Sequence, residues 1–142
     1  MEKRTLTFSL NNDLAHLQDL CARCGRFGQA MGLPEKLIFQ MNLALDELFT
    51  NIVSYGFKDG KDHKIEISLA VEAGMLILRI EDDGMPFNPA GAQAPDLKCS
   101  LKEHKIGGLG IHLIRHLMDD IDYQRSNHKN ILTLRKKIAG PA

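Results

Sequence analysis

Two runs of alternating side chains, KIEISLAV (residues 64–71) and MLILRIED (residues 75–82), flank the short segment Glu72-Ala73-Gly74. A period of two puts successive side chains on opposite sides of a strand. A glycine-bearing break of this length between two such runs is a hairpin signal. The segment therefore predicts two adjacent antiparallel strands with one apolar and one polar face. Leu76, Leu78, Ile80 and then Asp82 fall on the core-facing side. Lys64, Glu66, Ser68, Arg79 and Glu81 fall on the side left to solvent.

An apolar sheet face has to be covered, and the rest of the chain supplies the cover. RTLTFSL alternates with Leu6, Phe8 and Leu10 on one face and reads as a further strand. Asn11, Asn12 and Asp13 offer helix caps, and Leu14, Leu17, Cys21, Cys24 and Phe27 then follow helical spacing. Gly28 and Gly32 are expected to end that helix. Pro34 suits the first position of a second helix, which runs to Tyr55 before Gly56 stops it. A third helix is expected from Leu109 to Asp119, with Ile111, Ile114, Leu117 and Met118 inward. IDYQRS and NILTLRKKI pair as a last hairpin around Asn127 to Lys129. The order β-α-α-β-β-loop-α-β-β segregates strands from helices. It predicts an α+β, two-layer sandwich, a mostly antiparallel sheet with helices on one face.

The chain has 142 residues, which fits one domain over 1–142 with one substantial core. Lysine plus arginine and aspartate plus glutamate both number 18, so no global field favours nucleic acid or an acidic membrane. The one dense basic run is Arg135-Lys136-Lys137. No apolar stretch approaches the ~20 residues of a membrane span, and MEKRTLTFSL has no continuous apolar run of the secretory kind. Three cysteines are an odd count, too few for a disulfide framework. Cytoplasmic placement is the expectation. The Cys21–Cys24 spacing has no second half, so buried thiols are expected there. His112 and His116 share a helix face without a third ligand, and read as solvated.

Three constellations carry chemistry. In LALDELFTNIVSYGF, Glu47 and Asn51 are four apart and share a helix face, with Leu45, Leu48 and Ile52 on the apolar side. A carboxylate and an amide oxygen there can hold a divalent ion or polarise a hydroxyl. Magnesium needs few protein oxygens when phosphates and water supply the rest. Taken alone, the pair reads as the polar stripe of an amphipathic helix. In LILRIEDDG, the inward Asp82 needs a donor, because an unpaired buried charge is costly. That donor is either the exocyclic amine of a base or a backbone amide in the Asp83-Gly84 turn. In KIGGLGIHLI, Gly107, Gly108 and Gly110 precede an apolar-periodic run, and a helix N-terminus favours anions. This is neither a Walker loop nor the dinucleotide fingerprint.

Together, ELFTN, DDGMPFNP and GGLGIHLI resemble the N box and the two glycine boxes of the GHKL ATP-binding superfamily. The short length, the FNP segment and LMDDIDY resemble its anti-sigma-factor serine/threonine protein kinases, over Leu6 to Ile138. The resemblance implies the histidine-kinase-like ATPase fold and the use of ATP and Mg2+. It implies Glu47 as the base acting on an attacking hydroxyl and Asn51 as a magnesium ligand. Asp82 would accept from the adenine amine, with Gly84 leaving room for the ring. Asn88 to Lys105 would be an ATP lid, and Lys105, Gly107, Gly108, Leu109 and Gly110 would contact the phosphates. The implied partners are a sigma factor and a STAS-domain anti-anti-sigma protein, with homodimerisation common in the family and no direct nucleic acid or membrane contact. Ile106 stands where kinases of the family often carry arginine, leaving Lys105 or Lys102 to supply the charge. The alternative is a nucleotide-gated regulatory module that binds ATP without phosphoryl transfer.

Overall fold

The computed structural model describes residues 4–86 and 114–138. Five strands form one sheet: β1 (Thr5–Asn11), β2 (Lys64–Glu72), β3 (Met75–Asp82), β4 (Asp120–Ser126) and β5 (Lys129–Lys137). Their order across the sheet is β1-β2-β3-β5-β4, and every neighbouring pair is antiparallel. Both tight hairpins turn on left-handed backbone. Ala73 and Gly74 have φ of 48° and 76°, and Asn127 and His128 have φ of 53° and 64°. Turns with two positive φ values match the twist of the strands they join.

Two helices, α1 (Leu17–Ala30) and α2 (Glu35–Tyr55), cover one face of this sheet. The alternation explains why. Ile65, Ile67, Leu69 and Val71 of β2 and Leu76, Leu78 and Ile80 of β3 are buried, while Lys64, Glu66 and Arg79 stay exposed. The buried strand residues share one core with Leu20 and Cys24 of α1 and Met41, Leu45 and Phe49 of α2. Each such side chain contributes about 1.5–3 kcal/mol when fully buried. The expected two-layer α+β architecture is the observed one.

Several local expectations need correction. Leu14 is exposed, because Leu14–His16 is a 3-10 turn rather than the first turn of α1. Asp13 caps that turn, accepting from the Ala15 amide at 2.9 Å, and Leu20 takes an inward position on α1. Gly28 does not end α1; it lies inside the helix, where an added Cβ would stand 2.6 Å from Ile38 Cγ1 of α2. Its missing side chain sets how closely the two helices approach. The stop falls at Gly32, whose φ is +69°. Pro34 precedes α2 as its cap, and Gly56 closes it through its amide to the Ile52 carbonyl at 2.8 Å.

Of the third expected helix, residues 114–117 are described as helical, with Ile114 and Met118 buried. It does not reach Asp119. The Asp119 carboxylate accepts from the Lys137 amide at 2.6 Å, and Asp120 begins β4 and pairs with Arg135 at 3.0 Å. These acids serve the last hairpin, not a helix end.

Candidate functional site

The register of β3, β5 and β4 sets Asp82 opposite Asn130, and Asn130 opposite Arg125. One step inward, Ile80, Leu132 and Tyr123 stand in the neighbouring row. The apolar face thus ends in a polar row of three residues. Asp82 and Asn130 are buried, each 6% exposed. Asp82 Oδ1 accepts from the Gly84 amide at 2.8 Å and from Asn130 Nδ2 at 3.1 Å. Burial pushes the Asp82 carboxyl up from its ordinary value, while the hydrogen bonds from Asn130 and Gly84 hold it down in part. The turn amide is therefore one donor for this inward carboxylate, joined by a side chain that sequence reasoning missed. The signal for it was weak: alternation in NILTL puts Asn130 on the face of Leu132 and Leu134, but only the strand order makes it the neighbour of Asp82.

Asn51 faces this row from α2. Asn51 and Asp82 line one cavity whose walls are largely apolar: Leu48, Ile52, Ile80, Met85 and Leu132. The Asn51 amide nitrogen donates to the Glu47 carbonyl at 2.8 Å, which leaves its oxygen as the group offered to a ligand. Glu47 is half-buried one turn back along α2 and does not line the cavity. Burial, and then the Asp46 carboxylate, push its carboxyl up. The helix spacing thus brings Asn51 to Asp82 but sets Glu47 at the margin.

Gly84 closes the corner between α2 and β3. A Cβ there would lie 2.7 Å from the Gly56 carbonyl oxygen and 2.8 Å from Asp82 Oδ1. Next to it, the Met85 amide donates to the same Gly56 carbonyl at 2.8 Å. The described contacts that exclude a side chain at Gly84 are thus with the protein itself. A second tie comes from His63, stacked on Phe57 with ring centroids 4.2 Å apart. Its Nδ1 lies 3.0 Å from Asp83 and its Nε2 2.8 Å from Asp59.

Lys105, Gly107, Gly108, Leu109 and Gly110 lie outside the described residues, as do Lys102, Ile106, His112 and the lid assigned to Asn88 to Lys105. Other features resolve plainly. Cys24 is buried, and burial pushes its thiol up to about 12, which suits neither metal nor redox chemistry. Among the described residues no three His, Cys, Asp or Glu are grouped to hold a metal ion. Arg135 and Lys136 of the basic run face Asp120 and Asp119, so their charge is answered within the hairpin. Among the described residues no helix is long and apolar enough to cross a membrane.

This fold and site have known relatives. Residues 10–136 match the family model described as the histidine kinase-like ATPase domain. The serine/threonine-protein kinase BtrW of Bordetella bronchiseptica is 37% identical over 99 residues, covering 70% of each chain. The serine-protein kinase RsbW of Listeria monocytogenes is 30% identical over 94 residues, 63% of this chain and 60% of that one. RsbW of Bacillus subtilis is 29% identical over 106 residues, 71% of this chain and 64% of its own. The chain thus spans less than two thirds of the RsbW proteins it matches. A crystal structure of the RsbU and RsbW domains of Rv1364c from Mycobacterium tuberculosis shares the fold, with a TM-score of 0.70 at 15% identity over 99% of this chain and 34% of that one.

The chain belongs to the histidine kinase-like ATPase domain family, on the serine/threonine-protein kinase branch that BtrW represents. It is a nucleotide-binding domain of that kind. The cavity fits such a ligand, since apolar walls suit a flat ring and Asp82 is a buried acceptor with one oxygen already bonded.

Proposed function

We propose that this chain is an ATP-dependent protein-serine kinase that acts as an anti-sigma factor in the cytoplasm, and that its phosphate acceptor is a STAS-type anti-anti-sigma protein. The observation that carries this reading is the meeting of Asn51 and Asp82 on one apolar cavity from opposite walls. Asp82 accepts from the adenine amine, and the apolar side chains around it hold the ring. Asn51 turns its amide oxygen to Mg2+, which supplies charge neutralisation at the phosphates when bound. Glu47, one helical turn further, accepts the proton of the incoming serine hydroxyl. Its raised pKa supports that role, because a carboxylate with a higher pKa is the stronger base near neutral pH. Lys105, Gly107, Gly108, Leu109 and Gly110 take the phosphates, as the family resemblance implies. Binding to the sigma factor and homodimerisation rest on that resemblance as well.

The test is transfer of labelled phosphate from ATP to a purified STAS-type protein, with and without Mg2+. Labelled serine that appears only with the metal is the expected result. A second reading, a nucleotide-gated module that binds its partner without transfer, draws on Ile106 in place of the arginine that family kinases often carry there. ATP-dependent partner binding with no labelled product would establish it.

A further inference from the structure

The buried side chain that joins Asp82 to the rest of the sheet is an amide, and an amide has two chemically different ends. Asn130 Nδ2 donates to Asp82 Oδ1 at 3.1 Å, to the Met85 carbonyl at 2.8 Å and toward the Gly84 carbonyl at 3.5 Å. Its Oδ1 accepts from the Tyr123 hydroxyl at 2.5 Å and from Arg125 Nη1 at 3.0 Å. Arg125 Nη1 also donates to the Gly84 carbonyl at 2.7 Å. Turning the amide over would set its oxygen against a carboxylate and two carbonyls, and its nitrogen against the donor-only Arg125 guanidinium. One orientation is therefore enforced from both sides. Among the described residues both donors to Asp82 fall on Oδ1, so the ligand is assigned to Oδ2.

We propose that Tyr123 and Arg125, on edge strand β4, act through Asn130 to set the base preference of the cavity, by holding Asp82 as an oriented carboxylate that can only accept. A fixed carboxylate oxygen accepts from the 6-amino group of adenine and repels the 6-oxo group of hypoxanthine. A carboxyl group released from Asn130 can take a proton from solvent, and its O–H then donates to the 6-oxo group while its other oxygen can still accept. Tyr123, Arg125 and Asn130 are positioning residues in this scheme, and Asp82 alone meets the base edge. The proposal rests on Asp82 recognising the base, as set out above.

The experiment compares calorimetric affinities for ATP and inosine triphosphate (ITP). A general loosening of the fold weakens both ligands alike, whereas the relay changes their ratio. Asn130→Leu continues the apolar face of Leu132 and Leu134, and circular dichroism and melting test whether it is folded. It is expected to lower the ATP:ITP preference at least tenfold. The double variant Tyr123→Phe/Arg125→Met, at the sheet edge, is expected to lower it in the same direction by less. Added to Asn130→Leu, that double change should do much less than it does alone, since only the Arg125 bond to the Gly84 carbonyl then remains to be lost. A folded Asn130→Leu protein with the wild-type ratio would overturn the proposal, as would a full further effect of the double change in that background. If Asn130→Leu does not fold, an unchanged ratio in the double variant overturns it. Asp82→Asn separates the two levels: if it keeps the wild-type ratio, the base-recognition reading fails, and if it alone loses the ratio, only the relay fails.

Discussion

Glu47 and its neighbour Asp46 are two carboxylates on one turn of α2, and their treatment differs. Asp46 accepts from Thr50 Oγ1 at 3.3 Å, whereas the half-buried Glu47 has its pKa raised by burial and then by Asp46. In its proposed role Glu47 must be ionised to accept a proton, so transfer should be lost as pH falls through the Glu47 pKa. Because that pKa is raised, the acid limb of the rate profile should lie above the ordinary glutamate value. Asp46→Asn removes a like charge and should move the limb to lower pH, measured by single-turnover transfer across a pH series. An unmoved limb would take the base role away from Glu47. Cys24 gives a second check at this scale. With its thiol held protonated at neutral pH and buried, it should escape alkylation in the native protein and react after unfolding, read by mass mapping.

The corner between α2 and β3 is where elements meet to make the site, and two devices hold it. Gly84→Ala would drive a Cβ into the Gly56 carbonyl, backbone that cannot move aside, and should cost about 1–3 kcal/mol of stability by overpacking. Denaturant melts measure this, and a neutral result would show that the corner yields. The other device is His63 between Asp59 and Asp83. Both ring nitrogens face carboxylates, an arrangement that wants the charged imidazolium. The hydrogen bond to Asp59 leads in raising the His63 pKa, with both carboxylate charges adding to it. A pKa raised on folding gives stability that is full below the unfolded value and is lost as pH rises through the folded one. Melting temperature should fall across that window above the ordinary histidine range, and His63→Gln should flatten the fall. The elements themselves were legible, because period-two runs and the Pro34 and Gly56 punctuation are local signals. The corner was not. Asn130 becomes a partner of Asp82, and Arg125 of Asn130, only once β5 inserts between β3 and β4, and no local pattern announces that order. Gly28 misled for a similar reason, since its role is contact with α2 rather than helix termination.

At the scale of the molecule, α2 and the β3–β5–β4 end of the sheet form the two walls of one cavity, so a ligand there braces layer against layer. A ligand that binds only the folded state stabilises it by about 2.7 kcal/mol at a hundredfold excess over its dissociation constant. ATP should therefore raise the melting temperature of the wild type, and much less that of Asp82→Asn. In the proposed function the walls divide the labour: Asp82 at the end of β3 would hold the base, and Asn51 and Glu47 of α2 would act at the phosphates. Calorimetry and labelled-phosphate transfer, run on the same preparations of Asp82→Asn and Glu47→Ala, separate those tasks. Asp82→Asn should lose about 1–3 kcal/mol of ATP affinity, the range for an unsatisfied buried polar partner. Glu47→Ala should bind Mg-ATP nearly as the wild type does and lose transfer to the STAS-type partner by about 10²–10⁴-fold. Wild-type transfer by Glu47→Ala, or wild-type ATP affinity in folded Asp82→Asn, would contradict that assignment of the two walls.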